Sequence, residues 1–213
     1  MIRAFIFDLD GVIVSTDEFH FQAWQRLAQE ENIPFSREDN ERLKGVSRME
    51  SLDIVLEKSR KPYTENEKTQ MAERKNSYYR DLLKKLSPAD ILPGVLRFLD
   101  DLHKLNFHTA IGSSSKNAVP ILKAVGLSHA FEVVADGTMI TKSKPHPEVF
   151  LLAASLLTVE PRHCLVVEDA EAGVDAALAA GMKVLAVGSA HSLPQATFRA
   201  KDLSAVFPNQ FLK

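Results

Sequence analysis

A regular alternation of strand-like and helix-like segments after residue 94 constrains the fold of this chain most strongly. Short apolar runs are typical of strands, and amphipathic runs that end near glycine are typical of helices. This alternation predicts a parallel sheet with helices packed on both faces. The predicted strands are 107–111, 131–135, 164–167 and 184–187, and the predicted helices are 95–105, 118–125, 147–157 and 172–180.

One further predicted strand, residues 2–7, stands alone at the N-terminus and is followed only by helical periodicity. It is apolar apart from Arg3, as the central strands of parallel sheets are. Because a lone strand is not stable outside a sheet, we assign it to the same sheet as the later strands. The predicted fold is therefore α/β, with a Rossmann-like parallel sheet core formed by residues 1–14 and 89–213 and an inserted all-helical cap formed by residues 15–88.

Composition and charge exclude several classes of protein. The 213 residues include 26 Lys and Arg and 28 Asp and Glu, and the cap segment is evenly balanced, so no basic surface for nucleic acid is indicated. No apolar stretch approaches the ~18 residues of a membrane span. The N-terminus lacks the pattern of a signal peptide, and the single cysteine, Cys164, has no partner for an internal disulfide. We expect a cytoplasmic monomer with no nucleic-acid or membrane partner.

Polar side chains are concentrated where the predicted strands end. In an open α/β sheet, ligands bind beyond the carboxyl ends of the strands, and residues from separate segments meet there. Four segments supply the polar residues that we expect at this edge: Asp8 with Asp10, Ser113–Asn117, Lys144, and Glu168 with Asp169.

Each of these residues has an ordinary structural explanation when it is taken alone. A carboxylate after a strand often caps a helix or faces solvent, the serines at 113–115 would serve as the N-cap of the next helix, and a single lysine usually lies at the surface. The four carboxylates taken together do not fit that explanation, because close carboxylates repel each other and are costly to bury unpaired. A site with oxygen ligands only favours Mg²⁺, which binds a few carboxylates and a substrate phosphate.

The spacing of Asp8 and Asp10 suits phosphoryl transfer. Residues i and i+2 of a strand point the same way, so both carboxylates face one ligand. One of them is suited to attack phosphorus as a nucleophile, and the other to move a proton. Gly11 lets the chain turn sharply directly after them.

Four motifs of this chain, FDLDGVI, SSSKN, SKP and VVEDAEAGV, in this order, closely resemble those of the haloacid dehalogenase-like phosphotransferases. The segments STDEFHFQAW, LKGVSRMESL, ERKN and SPADILPG are similar to those of the sugar-phosphate mutases in that family. This resemblance implies a Mg²⁺-dependent enzyme that converts β-D-glucose 1-phosphate to D-glucose 6-phosphate. The implied intermediate is β-D-glucose 1,6-bisphosphate, and the implied partners are small sugar phosphates.

The resemblance also implies roles for individual core residues. Asp8 would be the nucleophile and Asp10 the general acid and base. The metal would be bound by Asp8, the backbone carbonyl of Asp10 and Asp169, with Glu168 beside them. The residues implied to orient and neutralise the transferring phosphoryl group are Ser113 and Lys144.

The substrate-binding residues implied by the resemblance lie mostly in the cap. From the residues alone, His20 is as well explained by packing against Trp24, Ser47 by a helix N-cap, and Arg48 and Lys75 by solvated helix faces. Thr16 would lie at the hinge between cap and core. The full implied set is Thr16, His20, Trp24, Gly45, Val46, Ser47, Arg48, Lys75, Ser115, Lys116 and Asn117.

Two alternatives to a mutase stay open at this point. A phosphatase would use the same Asp8 chemistry with water as the final acceptor, and only the cap would differ; the KGVSR segment, which offers an arginine for a second phosphate, favours the mutase. A non-catalytic binding protein on this fold is less well supported, because Asp8, Asp10, Lys144 and Asp169 are all retained.

Overall fold

A parallel six-stranded sheet forms the base of the structure, a computed structural model that describes residues 1–212. The first strand lies in the middle, because the sheet order is β3-β2-β1-β4-β5-β6. The predicted fold class is therefore confirmed. The strands are β1 (Ala4–Phe7), β2 (His108–Gly112), β3 (Val133–Ala135), β4 (Cys164–Glu168), β5 (Lys183–Ala186) and β6 (Phe198–Arg199).

Four α-helices lie in residues 15–88, the segment that we call the cap. Capping boxes fix the starts of three of these helices. In each, the side chain of a Ser or Thr at the N-cap position accepts a hydrogen bond from the backbone N–H three residues later, and the acidic side chain of that later residue accepts one from the backbone N–H of the N-cap residue. Helices α1 and α4 pack together and bury Trp24, Leu27 and Met71 between them. The cap helices are α1 (Asp17–Glu30), α2 (Arg37–Glu41), α3 (Arg48–Leu56) and α4 (Glu65–Leu83).

Four later helices cover the two faces of the sheet, as the alternating side chains of β1 show. Phe5 and Phe7 pack against α5 and α6 on one face, whereas Ala4 and Ile6 pack against α7 and α8 on the other. All four residues of β1 are buried, so the strand is apolar on both sides. These helices are α5 (Val95–Lys104), α6 (Ala118–Ala124), α7 (Glu148–Leu156) and α8 (Glu171–Ala179).

The sixth strand is the element that the sequence did not predict. β6 is two residues long, and it pairs with Leu185 and Ala186 at the edge of the sheet. Such a short strand has no apolar run to reveal it. No helix within residues 1–212 combines the length and the apolar character needed to cross a membrane.

Candidate active site

Three buried carboxylates meet at the carboxyl edge of the sheet. Strands β1 and β4 are parallel neighbours with Phe7 opposite Val167, so the residues that follow them lie side by side. One carboxylate oxygen from each of Asp8, Glu168 and Asp169 lies within 4.8 Å of the others. A set of oxygen ligands of this kind fits Mg²⁺.

Lys144 is the cation that the protein itself supplies to this cluster. It is fully buried, and its Nζ lies 2.5 Å from Asp8 Oδ1 and 3.3 Å from Glu168 Oε2. Although burial acts against the charged form, Asp8 and Glu168 together raise the pKa of Lys144, which therefore stays an ammonium. Lys144 thus pairs with two of the three carboxylates, and Lys44 acts on Asp169 without a salt bridge to it.

Two carboxyl groups of the cluster, those of Glu168 and Asp169, have raised pKa values. Burial is the largest cause, and it raises the pKa of Glu168 well above its ordinary value. Burial and then the charge of Asp8 raise the pKa of Asp169 to about 8. A bound divalent cation would offset the cost of ionising these buried carboxyl groups. The donor set and its charge therefore fit Mg²⁺.

Two glycines make room for the carboxylates. Gly11 has a φ of +81°, and a Cβ at this position would overlap the carboxylate of Asp169. Gly173, in α8, has the same relation to the carboxylate of Glu168. The first was predicted from the sequence as a sharp turn, whereas the packing role of the second was not visible there.

Asp10 is bound to the cap rather than to the carboxylate cluster. Its Oδ1 accepts a short hydrogen bond from Thr16 Oγ1, and Thr16 Oγ1 accepts one from the Tyr79 hydroxyl at 3.0 Å. Burial is the main cause that raises the pKa of Asp10 to about 7, and the charge of Asp8 adds to it. A carboxyl group with a pKa near neutrality is suited both to donate and to accept a proton.

A cavity of about 480 Å³ lies between the cap and the sheet edge. Asp8, Asp10, Lys144 and Asp169 line its floor. Two residues predicted for the site do not line it: Thr16 lies behind Asp10, and Glu168 is buried beneath Lys144. The predicted residues in the rest of its wall are His20, Trp24, Gly45, Val46, Ser47, Arg48, Lys75, Ser113, Ser115, Lys116 and Asn117.

The cap wall of the cavity carries basic side chains. Lys75 is buried, and its Nζ lies 2.9 Å from His20 Nδ1 and 4.6 Å from the ring centre of Trp24. Burial, followed by the charge of Arg48, lowers the pKa of Lys75 to about 7. Burial, followed by the charge of Lys75, also holds the pKa of His20 well below its ordinary value, so its ring is neutral beside Lys75. The guanidinium of Arg48 stays charged even when burial lowers its pKa.

The serine loop after β2 forms the core wall of the cavity. Ser113 Oγ accepts from the Ser115 backbone at 3.2 Å, and Ser115 Oγ accepts from the Asn117 backbone at 3.2 Å. The helix that follows begins at Ala118 with Asn117 in the N-cap position, so the serines are not its N-cap. The N-cap explanation that the sequence left open for the serines is therefore wrong, and two of their hydroxyls instead bind the backbone of their own loop.

Several cavity residues were missed by reasoning from the sequence. Ser51 lies one helical turn after Ser47, and Tyr79 lies one helical turn after Lys75, so spacing from predicted residues would have found both. Asn40 gave no such signal: it is buried in α2, and its Oδ1 has no hydrogen-bond partner in the described chain. The missed lining residues include Asn40, Ser51, Thr69, Asn76, Tyr79 and Ser114.

Fold and site together define a class of protein, a phosphotransferase with an acidic metal site at the edge of a parallel sheet and a helical cap over it. Comparison with known families agrees: the model of the haloacid dehalogenase-like hydrolases matches residues 2–181. The chain belongs to this family.

Individual relatives within the family are similar over nearly their whole length. The chain is 46% identical to beta-phosphoglucomutase of Bacillus subtilis over 88% of this chain and 84% of that protein. It is 32% identical to the phosphorylated carbohydrates phosphatase of Thermotoga maritima over 99% of this chain and 97% of that protein. A crystal structure of beta-phosphoglucomutase from Clostridium difficile matches it with a TM-score of 0.94 and 42% identity, over 99% of this chain and 96% of that one.

Proposed function

We propose that this protein is a β-phosphoglucomutase, which interconverts β-D-glucose 1-phosphate and D-glucose 6-phosphate. The observation that carries the proposal is the distribution of charge in the cavity: Lys144 lies beside Asp8 on the floor, and Arg48 and Lys75 lie in the cap wall. A phosphatase needs a site for one phosphate, whereas a sugar bisphosphate has one at each end. The similarity to two β-phosphoglucomutases supports the same conclusion.

The core residues carry out the phosphoryl transfer. The Asp8 carboxylate attacks phosphorus and forms an aspartyl phosphate while the P–O bond to the leaving sugar oxygen breaks. Lys144 neutralises the negative charge of the phosphoryl group, and Ser113 donates a hydrogen bond to it. Asp8, the Asp10 carbonyl and Asp169, with Glu168 beside them, would hold Mg²⁺, which would supply further positive charge to the phosphoryl group.

Asp10 supplies and removes the proton. When a sugar hydroxyl attacks the phosphorus on Asp8, Asp10 takes the hydroxyl proton, and the P–O bond to Asp8 breaks. The product is β-D-glucose 1,6-bisphosphate. The bisphosphate then turns in the site, and Asp8 attacks the phosphorus of its other phosphate. As the P–O bond to the sugar breaks, Asp10 returns the proton to the leaving sugar oxygen.

The cap residues hold the phosphate that is not being transferred. A guanidinium binds a phosphate with two hydrogen bonds, and Arg48 at the start of α3 is placed for this in the cavity wall. The remaining predicted cap residues and the loop of Ser115, Lys116 and Asn117 surround the sugar. The boundaries of the cap at 15–88 and of the core at 1–14 and from residue 89 onward, a monomeric state and a cytoplasmic location are part of this proposal.

A phosphatase is the second candidate, because a relative over nearly the whole chain is named as one. A single assay separates the candidates: the protein is incubated with Mg²⁺, β-glucose 1-phosphate and a trace of the bisphosphate, and glucose 6-phosphate and free phosphate are followed. We expect glucose 6-phosphate to exceed free phosphate by a wide margin. Stoichiometric free phosphate would instead identify a phosphatase, and absence of any turnover would favour a binding protein.

The variant Asp8→Asn tests the mechanism in the same assay. An amide cannot replace the carboxylate as nucleophile, so we expect no phosphoryl transfer to sugar or to water. Substantial activity in a clean preparation of this variant would contradict the assignment of Asp8.

A further inference from the structure

Side-chain hydrogen bonds join the cap to the core on two sides of the cavity. Ser143 Oγ, from the loop before α7, donates a short hydrogen bond to Glu50 Oε2 of α3. Asn117 Nδ2 donates to Asn76 Oδ1 of α4 at 3.1 Å. The first contact lies at the mouth of the cavity, where Glu50 and Ser143 both line an outer groove, and the mechanism above gives it no role.

On the core side, Ser143 is part of a loop that is held firmly in place. The carboxylate of Glu148 accepts from the backbone of Thr141 at 3.0 Å and from the backbone of Lys142 at 2.8 Å. Ser143 directly precedes Lys144, the lysine beside the carboxylate cluster. A contact to Ser143 therefore acts on a fixed point of the core next to the reacting group.

On the cap side, Glu50 is part of the start of α3. Its Oε2, the same oxygen that accepts from Ser143, accepts from the Ser47 backbone at 2.9 Å. Arg48 is the first residue of this helix. One carboxylate thus binds both the helix start that carries Arg48 and the core loop that carries Lys144, which are the two ends of the proposed bisphosphate site.

We infer that Glu50 and Ser143 are positioning residues that hold the cap closed while Asp8 carries the phosphoryl group. The inference rests on the proposed mutase activity. With the cap closed, a sugar hydroxyl attacks phosphorus, its proton goes to Asp10, the P–O bond to Asp8 breaks, and the bisphosphate forms. With the cap open, water attacks the same phosphorus and the same bond breaks, giving inorganic phosphate and the free carboxylate. The Glu50–Ser143 contact sets the ratio of these outcomes.

The variant Ser143→Ala removes this contact and leaves the capping box of α3 intact. We expect the ratio of free phosphate to glucose 6-phosphate to rise about three- to tenfold, as loss of one hydrogen bond in the closed state predicts. The unfolding midpoint is expected to fall by no more than about 4 °C. Ser143→Thr keeps the hydroxyl and is expected to keep the wild-type ratio. If the two residues act as a pair, Ser143→Ala changes the ratio no further in a Glu50→Ala background.

The chain offers a matched control for Glu50→Ala. Helix α4 begins with the same capping box, in which Glu67 Oε2 accepts from the Thr64 backbone at 2.7 Å, and Glu67 is exposed away from the core. Glu67→Ala therefore removes an equivalent helix cap without touching the cap–core contact. We expect Glu50→Ala to raise the phosphate ratio and Glu67→Ala to leave it unchanged. Equal effects of the two variants would show that only helix capping matters and would overturn the inference.

Cap opening is measured independently of activity through Trp24. It is the single tryptophan, it lines the cavity, and it is 2% exposed. We expect acrylamide to quench its fluorescence more strongly in Ser143→Ala than in the wild type or Glu67→Ala. If the wild type forms no glucose 6-phosphate, the proposed function fails while quenching still tests the contact. If the wild type is an active mutase and Ser143→Ala keeps its ratio and its quenching, the inference is wrong.

Discussion

Removal of magnesium should make the folded protein less stable as the pH rises, which is the reverse of the usual behaviour of carboxylates. Burial and the charge of Asp8 raise the pKa of Asp169 to about 8, and burial raises that of Glu168 well above its ordinary value. An aspartate in an unfolded chain has a pKa of about 3.9. Between these two values the folded chain binds more protons than the unfolded chain, so the free energy of unfolding falls as the pH increases.

The size of the effect follows from the shift at Asp169. One pKa unit corresponds to about 1.4 kcal/mol, so a shift of about four units lowers the free energy of unfolding by on the order of 5 kcal/mol between about pH 4 and pH 8. The positive charge of Lys144 is present over this whole range and is already one of the influences that set the pKa of Asp169. Glu168 and Asp10, whose pKa values are also raised, add to the same slope. Mg²⁺ binds the ionised carboxylates of the folded state and should recover most of the loss.

Urea unfolding at a series of pH values from about 5 to about 8, in EDTA and in excess MgCl₂, measures this dependence. Asp169→Asn is the matched variant, because it has the same size and cannot ionise. We expect it to have a smaller pH slope, of which the part due to Glu168 and Asp10 remains, to gain little from Mg²⁺, and to be more stable than the wild type near the upper end of this range in EDTA. A wild-type stability that is constant or rises with pH in EDTA would refute the reasoning, as would a Mg²⁺ effect of equal size at both ends of the range.

Three further predictions concern other parts of the structure. Arg97 donates to the carbonyls of residues 203, 204 and 206, so Arg97→Ala should lower the free energy of unfolding by about 2–3 kcal/mol in urea while kcat stays at the wild-type value. Gly11→Ala places a methyl group against the Asp169 carboxylate, so calorimetry should show Mg²⁺ affinity reduced by at least about tenfold; wild-type affinity would contradict this. Asn40 has an unpartnered acceptor at the cavity, so Asn40→Leu should raise KM about tenfold without lowering Tm, and an unchanged KM would exclude substrate contact.

The fold was largely predictable because its signals are local. Each predicted strand of the sheet is an apolar run between turns, and β1 is buried on both faces, as its composition indicated. The predicted ends of the strands were less accurate than the strands themselves: β1 begins at Ala4 rather than at Ile2, and β3 begins at Val133 rather than at Phe131. Hydrogen bonding to neighbouring strands fixes these ends, and composition does not reveal it.

The core and the cap of the candidate site differ in how far the sequence alone could place them. Parallel strands bring their carboxyl ends to one edge, so the convergence of Asp8, Lys144 and Asp169 followed from topology. The face that a cap helix turns toward the sheet depends on tertiary packing, which periodicity does not determine. Arg48 and Lys75 were therefore placed through family resemblance, and Asn40 was not predicted at all.

The position of Asp10 connects the fold of the cap to the chemistry of the core. Asp8 is held by the sheet, since its backbone N–H donates to Val167 at 2.9 Å. Asp10 is instead bound through Thr16, which directly precedes α1, to Tyr79 of α4, so both ends of the cap hold it. We therefore expect the nucleophile to stay in place when the cap opens, and the proton-transferring carboxyl group to move with the cap. An open cap consequently leaves the aspartyl phosphate without its acid–base partner, so attack by water is slow in that state and competes with transfer to the sugar only when the closed state is destabilised.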